Sequence, residues 1–266
     1  MGHVGHDEGM GLRVTVGVLL ALSSLGQVSC APGPAGVERL EPRIVATHPF
    51  DETSFTQGLE AEDGGTLLVG TGQEGQSRIY RSTLDGRELA SADLDPEFFG
   101  EGVTRHGGHI WQLTWRDRVA VKRDAGTLAE VDRVTYPGEG WGLCSTGEEL
   151  IMSDGSDTLR RLDPDSFAEL GRLRVTLEGA PQDGLNELEC VDGDVYANVF
   201  LSTDVLRIDA AGTVTAVIDA SGLPNNAEPD PDHVLNGIAH LPDSGRWLFA
   251  GKRWPDLYEV ELVPAQ

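Results

Sequence analysis

Five times along this chain a short strand-like run opens on a polar or aromatic residue followed by Gly or Glu and then an aliphatic residue, and this repetition restricts the fold more than any other feature. The openings are Gln57-Gly-Leu59, Glu101-Gly-Val103, Trp141-Gly-Leu143, Asn186-Glu-Leu188 and Asn236-Gly-Ile238, spaced by 44, 40, 45 and 50 residues. Each is followed by a second apolar run, such as Thr66-Leu-Leu-Val-Gly70 or Arg246-Trp-Leu-Phe-Ala250, and a third, such as Arg118-Val-Ala-Val121 or Asp204-Val-Leu-Arg-Ile208. Helical periodicity is almost absent, and Gly, Asp and Asn punctuate the runs as turn residues do. In the first four units a turn leads on to a fourth strand. Units of about 40–50 residues with four strands are propeller blades. The fifth unit runs out near Pro264 with three strands, and Arg43–His48 is free to pair beside Tyr258–Leu262 and supply the missing edge. The expectation is an all-β, five-bladed β-propeller over residues 42–266, closed by pairing of its N-terminal and C-terminal strands.

Inner strands of a propeller line its central channel, so the five opening positions should converge. They hold Gln57, Glu101, Trp141, Asn186 and Asn236. The ends of the second strands give a second ring: Gly72, Trp115, Gly155, Phe200 and Lys252. One carboxylate, one ammonium, three carboxamides and three aromatics make a set suited to a small polar substrate within an aromatic wall. Lys252 stands out because 18 of the 20 basic residues are Arg and only Lys122 is a second Lys. Bland readings compete: channel amides that satisfy strand-end backbone groups, tryptophans packed between blades, and a structural Glu101–Lys252 ion pair. His106 and His109 read as a hairpin turn rather than a metal pair, and Glu228–Asp232 as a solvated rim loop lacking calcium-loop spacing.

The formal net charge of -24 argues against a nucleic-acid surface, which needs clustered Lys and Arg. Val14–Leu22 is too short to span a bilayer at about 20 residues but suits a signal peptide, with Arg13 as its positive flank. Gln27-Val-Ser-Cys30 resembles a lipoprotein cleavage box with Cys30 as the lipidated residue, competing with simple secretion. Residues 1–30 are therefore expected to be a signal and 31–41 a linker. The product is expected to be exported, whether periplasmic, lipid-anchored or secreted, and to meet a membrane only through Cys30. Cys144 and Cys190 are expected as two buried thiols, with a single bridge open to them in an oxidising compartment.

Phe55-Thr-Gln-Gly-Leu59, Phe98-Phe-Gly-Glu-Gly-Val103, Leu113-Thr-Trp115, Gly140-Trp-Gly-Leu143, Leu185-Asn-Glu-Leu-Glu189, Val234-Leu-Asn-Gly-Ile-Ala239 and Gly251-Lys-Arg-Trp-Pro255 follow one another in a familiar order. In these segments, from about His48 to Leu262, the chain resembles the plant-type (papaya-type) glutaminyl cyclases, which also occur in bacteria. The resemblance implies a five-bladed propeller that needs no cofactor or catalytic metal and converts N-terminal Gln of peptides and proteins to pyroglutamate with loss of ammonia. Carried over by position, Glu101 falls on the catalytic Glu, and Phe55, Gln57, Trp115, Trp141, Asn186 and Lys252 on pocket residues. Phe200 stands where the family usually has Trp, which keeps an apolar wall and loses an indole N–H donor. Glu101 is expected as general acid/base, with Lys252, Gln57 and Asn186 hydrogen-bonding the substrate amide or its neighbours. The partners expected are Gln-initiated peptides or proteins, with the enzyme itself a monomer. A non-catalytic binding propeller and a calcium-dependent lactonase-like hydrolase are the competing readings.

Overall fold

The computed structural model describes residues 36–265, so the expected signal and Cys30 lie outside the described residues. Strand β1 (Glu38–Pro49) precedes five repeats. The first contains β2 (Thr56–Glu62), β3 (Thr66–Thr71), β4 (Arg78–Thr83) and β5 (Glu88–Asp93). The second contains β6 (Gly100–His106), β7 (His109–Thr114), β8 (Val119–Asp124) and β9 (Glu130–Thr135). The third contains β10 (Leu143–Ser145), β11 (Leu150–Met152), β12 (Thr158–Leu162) and β13 (Glu169–Arg174), followed by a small hairpin, β14 (Thr176–Leu177) and β15 (Ala180–Pro181), that the repeat pattern does not reveal. The fourth contains β16 (Leu185–Val191), β17 (Asp194–Val199), β18 (Asp204–Ile208) and β19 (Val214–Asp219), and the fifth β20 (Leu235–Leu241), β21 (Arg246–Gly251) and β22 (Asp256–Pro264).

The architecture is all-β and propeller-like. Consecutive strands within each repeat pair antiparallel. The innermost strands β2, β6, β10, β16 and β20 neighbour one another in turn, and β20 returns to β2. Apolar side chains fill the spaces between successive sheets, as where Trp111 and Leu113 of the second repeat meet Leu143, Leu150 and Met152 of the third.

β1 supplies the outer strand of the fifth repeat, with Arg43 opposite Glu261 and His48 opposite Leu257, in the pairing expected of the two ends. It does one thing more. Glu38–Leu40 pairs parallel with Ala216–Ile218 of β19, so the fourth and fifth repeats join in one eight-stranded sheet. Residues 38–41, expected as linker, are therefore strand, because Leu40 is buried among Ala216, Ile218 and Val260.

Four of the five opening positions lie on β-bulges. The register slips by one residue between Thr56 and Gly58, Gly100 and Val103, Leu185 and Leu188, and Leu235 and Ile238. A bulge takes a residue out of the pleat and re-aims its side chain, which turns Gln57, Glu101, Asn186 and Asn236 from sheet residues into channel residues. The third repeat differs from expectation: Trp141 precedes β10 instead of lying in it. There Ser153 replaces regular pairing, its carbonyl accepting from the Trp141 N–H at 3.0 Å and its hydroxyl from the Gly142 N–H at 2.7 Å.

Cys144 on β10 and Cys190 on β16 form a disulfide with Cα atoms 5.5 Å apart, tying two adjacent inner strands, so the reading as free thiols is corrected. Further along the channel stand Glu60, Glu187 and Glu189, each bonded to a neighbouring repeat. Glu60 accepts from the Arg105 N–H, Glu189 from the His240 N–H at 2.9 Å, and Glu187 from both Leu59 and Ile238 N–H at 3.2 and 3.0 Å. Burial raises all three pKa values, that of Glu60 to about 7, and repulsion adds to the rise, from Glu62 at Glu60, from Glu189 and Glu60 at Glu187, and from Glu60 at Glu189.

Two expectations follow from this packing. A methyl at Gly142 would lie 2.1 Å from the Asn186 carbonyl oxygen, so Gly142→Ala should cost at least about 1–3 kcal/mol in urea unfolding. Groups whose folded pKa is raised stabilise below their unfolded pKa and lose that contribution as pH rises through the folded value. The urea midpoint should therefore fall between about pH 5 and about pH 8, and Glu189→Gln should flatten part of that slope; a midpoint that climbs over the window would contradict the assignment.

Candidate active site

A cavity of about 370 Å³ gathers eight of the nine residues singled out from sequence: Phe55, Gln57, Glu101, Trp115, Trp141, Asn186, Phe200 and Lys252. A repeated backbone bond explains the second ring. The N–H groups of Gly72, Trp115, Phe200 and Lys252 donate to the carbonyls of Phe55, Phe99, Gly184 and Val234 at 2.8–2.9 Å, each acceptor two residues before its repeat's opening position. The two glycines of that ring make room for aromatics. A Cβ at Gly72 would fall 2.4 Å from the Phe99 ring, and one at Gly155 2.7 Å from Trp141.

Asn236 does not line the cavity. Fully buried, it donates from Nδ2 to Gln57 Oε1 at 2.9 Å and to the Thr56 carbonyl at 3.0 Å. Gln57 Nε2 in turn donates to Glu101 Oε1 at 3.0 Å. This chain fixes the orientation of the Gln57 amide and leaves it one N–H for a ligand, so its part is chiefly to orient Glu101.

Glu101 is 4% exposed. Burial raises its pKa well above the usual carboxylate range; the Lys252 charge opposes the rise and the Glu139 charge adds to it. Lys252 is 5% exposed, and burial lowers its pKa against the charges of Glu101 and Asp232. Its Nζ lies 4.9 Å from the centre of the Phe55 ring and 5.5 Å from that of Phe200. Among the described residues no contact ion pair joins Lys252 to Glu101, unlike the structural pair weighed from sequence. The ammonium faces ring electrons instead of a carboxylate.

Aromatic rings contact one another around the cavity: Phe55 with Phe99 at 6.1 Å, Phe99 with Trp115 at 5.5 Å and Trp141 with Phe200 at 5.2 Å between centroids. Phe200 remains 40% exposed at the mouth. Sequence reasoning passed over Phe99, Glu139, Gln73, Arg116 and Asp232, which also line the cavity. Phe99 was visible as the residue two before Glu101. Asp232 belongs to the stretch read as a solvated rim loop and reaches the cavity. Glu139 accepts from the indole Nε1 of both Trp115 and Trp141, at 2.8 and 3.1 Å.

A larger cavity of about 620 Å³ is bordered by Glu60, Thr104, His106, Glu189 and His240. Its two glutamates are committed to backbone N–H groups, and His106 Nδ1 sits 3.0 Å from the Ser145 hydroxyl. His106 and His109 face each other across the β6–β7 turn. Among the described residues no group of three or more His, Cys, Asp or Glu is arranged to hold a metal ion.

A single buried carboxylate beside a desolvated ammonium, within aromatic walls, suits proton transfer on a small amide. Residues 16–262 match the glutamine cyclotransferase family. The chain belongs to that family. It is 34% identical over 232 residues to a glutaminyl-peptide cyclotransferase of Arabidopsis thaliana, covering 85% of this chain and 72% of the plant protein. The crystal structure of Myxococcus xanthus glutaminyl cyclase superposes with a TM-score of 0.81 at 37% identity, over 86% of this chain and all of that one. The chain is thus a family enzyme with a propeller-like fold.

The opposed shifts of the two buried charges give a test within the family site. Lys252 holds the Glu101 pKa down, so Lys252→Met should move the Glu101 titration, followed by its infrared carbonyl stretch, to higher pH; an unmoved midpoint would show that the two groups do not interact.

Proposed function

We propose that this enzyme converts N-terminal glutamine of exported peptides or proteins to pyroglutamate and ammonia, acting as a monomeric, closed five-bladed propeller without a metal. The observation that carries the reading is Glu101, the one carboxylate deep in the aromatic cavity, held by Gln57 and near an ammonium that no protein acceptor engages among the described residues.

The substrate carries its own nucleophile, so positioning and proton traffic are the tasks left to the protein. The neutral α-amine attacks the γ-carboxamide carbon, forming the ring C–N bond and moving the carbonyl pair onto oxygen. Lys252, with Asn186, donates hydrogen bonds to that oxygen as charge builds. Ionised Glu101 accepts the proton released by the attacking nitrogen and passes it to the departing amide nitrogen as its C–N bond breaks. Ammonia leaves, and Glu101 ends as it began. Burial suits this double duty, because a carboxylate with a raised pKa both accepts and returns a proton near neutrality. Trp115, Trp141, Phe55 and Phe200 hold the glutamine methylenes and exclude the water that would give glutamate instead.

Export is supported by the Cys144–Cys190 bridge, which persists in oxidising compartments. Cys30 is proposed as the lipidated residue of the exported form.

Mass spectrometry of Gln-initiated peptides incubated with residues 31–266 should show the loss of one ammonia per chain and no hydrolysis to Glu. Glu101→Gln keeps the shape and removes the titrating proton, so ammonia release should fall by roughly 10²–10⁴-fold; a variant within a few-fold of wild type would sink the assignment. Lys252→Arg, with charge kept and geometry changed, should also lose most of its turnover.

A further inference from the structure

We propose that Glu139 is a positioning residue of this site: its carboxylate clamps the Trp115 and Trp141 indoles, from two different repeats, as the fixed walls of the glutamine pocket. The proposal rests on the reading of that cavity as the glutamine site and goes beyond it in assigning a residue that touches no reacting atom.

The geometry is specific. One oxygen, Oε2, accepts from Trp115 Nε1 at 2.8 Å and from Trp141 Nε1 at 3.1 Å. The other, Oε1, accepts from Arg116 Nε at 3.1 Å, and the Arg116 guanidinium lies 3.8 Å from the centre of the Trp115 ring. Trp115 is therefore held at its N–H edge and covered on one face. The backbone repeats the link, since the Gly140 N–H donates to the Trp115 carbonyl at 3.2 Å. Gly140 also has to be glycine: a Cβ there would lie 2.3 Å from the Tyr136 hydroxyl. Trp115 directly follows the second repeat's β7 and Trp141 precedes the third repeat's β10. No strand pairing aligns these two positions with each other, so the shared carboxylate fixes the distance between their rings. A charged acceptor suits this role because hydrogen bonds to an ionised oxygen are roughly twice as strong as neutral ones. Its three donors keep the Glu139 pKa below the ordinary value, so it carries its charge at neutral pH.

That charge reaches the chemistry as well. Glu101 is faced by Lys252 from the fifth repeat, Glu139 and Tyr136 from the segment between the second and third, and Gln57 from the first, with Arg116 and Asp232 at the cavity mouth. Glu139 is the negative neighbour that disfavours ionisation of Glu101. Removing its charge eases that ionisation, so the rising limb of the pH profile, which reports ionised Glu101, moves to lower pH.

The experiment compares Glu139→Ala and Glu139→Gln with wild type, using a Gln-initiated dipeptide amide and nitrogen-15 spectra of the five indole N–H groups. In the Ala variant the Trp115 and Trp141 resonances should move together toward the values of non-bonded indoles, and kcat/KM should fall by roughly ten- to a hundredfold, chiefly through KM. In the Gln variant the amide oxygen still accepts from both indoles, so KM should change little while the rising limb shifts to lower pH. Indole resonances and KM unaltered in Glu139→Ala would overturn the proposal, as would a change confined to melting temperature. Glu101→Gln run alongside separates the two readings. If it is inactive and Glu139→Ala is normal, the positioning role alone fails; if it is active, the acid–base reading fails, and the two indole resonances with KM still decide the clamp.

Discussion

The site depends on inner strands that approach backbone to backbone around the channel. A Cβ at Gly58 would lie 2.6 Å from the Val103 nitrogen, one at Gly102 2.6 Å from the Leu143 nitrogen, and one at Gly142 2.1 Å from the Asn186 oxygen. Each of these glycines follows an opening residue, so the position that must be empty sits beside the position that must be filled. Because the strands close so tightly, side chains on consecutive bulges come within hydrogen-bonding reach, as Asn236, Gln57 and Glu101 do. The fourth repeat breaks the rule with Glu187. Its carboxylate occupies the channel and bonds backbone N–H groups of the first and fifth repeats, where a fifth glycine would leave those donors unpaired.

Much of this was legible in the sequence because a propeller writes its geometry into spacing. The five openings, the strand order within each repeat and the pairing of Arg43–His48 beside the last strand all follow from counting residues between apolar runs. The same counting placed Trp115, Phe200 and Lys252 together although they come from three repeats. What stayed hidden has a common cause: it is made by side chains or strand edges meeting at separations that no repeat encodes. Glu139 lies 24 residues from Trp115 and two from Trp141, and nothing in a run of Gly and Glu distinguishes it from a solvated turn carboxylate. The parallel pairing of β1 with β19 was hidden because residues 38–41 look like the end of a linker until Leu40 finds its apolar neighbours. Channel amides were legible as a set but not by role, since only the bond from Asn236 shows that Gln57 is turned toward Glu101.

The bias toward Arg also has a structural basis. On the outer faces arginines bind carboxylates with both arms, as Arg161 does Glu149 at 2.7 and 2.6 Å and Arg133 does Glu130 at 2.6 and 2.7 Å. A planar fork suits that task, and each exposed pair contributes little on its own while ordering a strand edge. Lys122 is used differently but still structurally, donating to the Asp165 carbonyl at 3.0 Å. Both lysines lie over aromatic rings, Lys122 at 5.1 Å from the centre of Trp111, but of the two only Lys252 lines the aromatic cavity. A compact ammonium shifts its pKa readily when buried, whereas a guanidinium stays charged. Burial disfavours charge on both Lys252 and Glu101 while each charge favours the other, so the titration of either depends on the charge state of its neighbour. Excluding water from the cavity lowers the effective dielectric and so strengthens the attraction between the two charges, which is why the ionisation of Glu101 depends on keeping the ammonium of Lys252 in place.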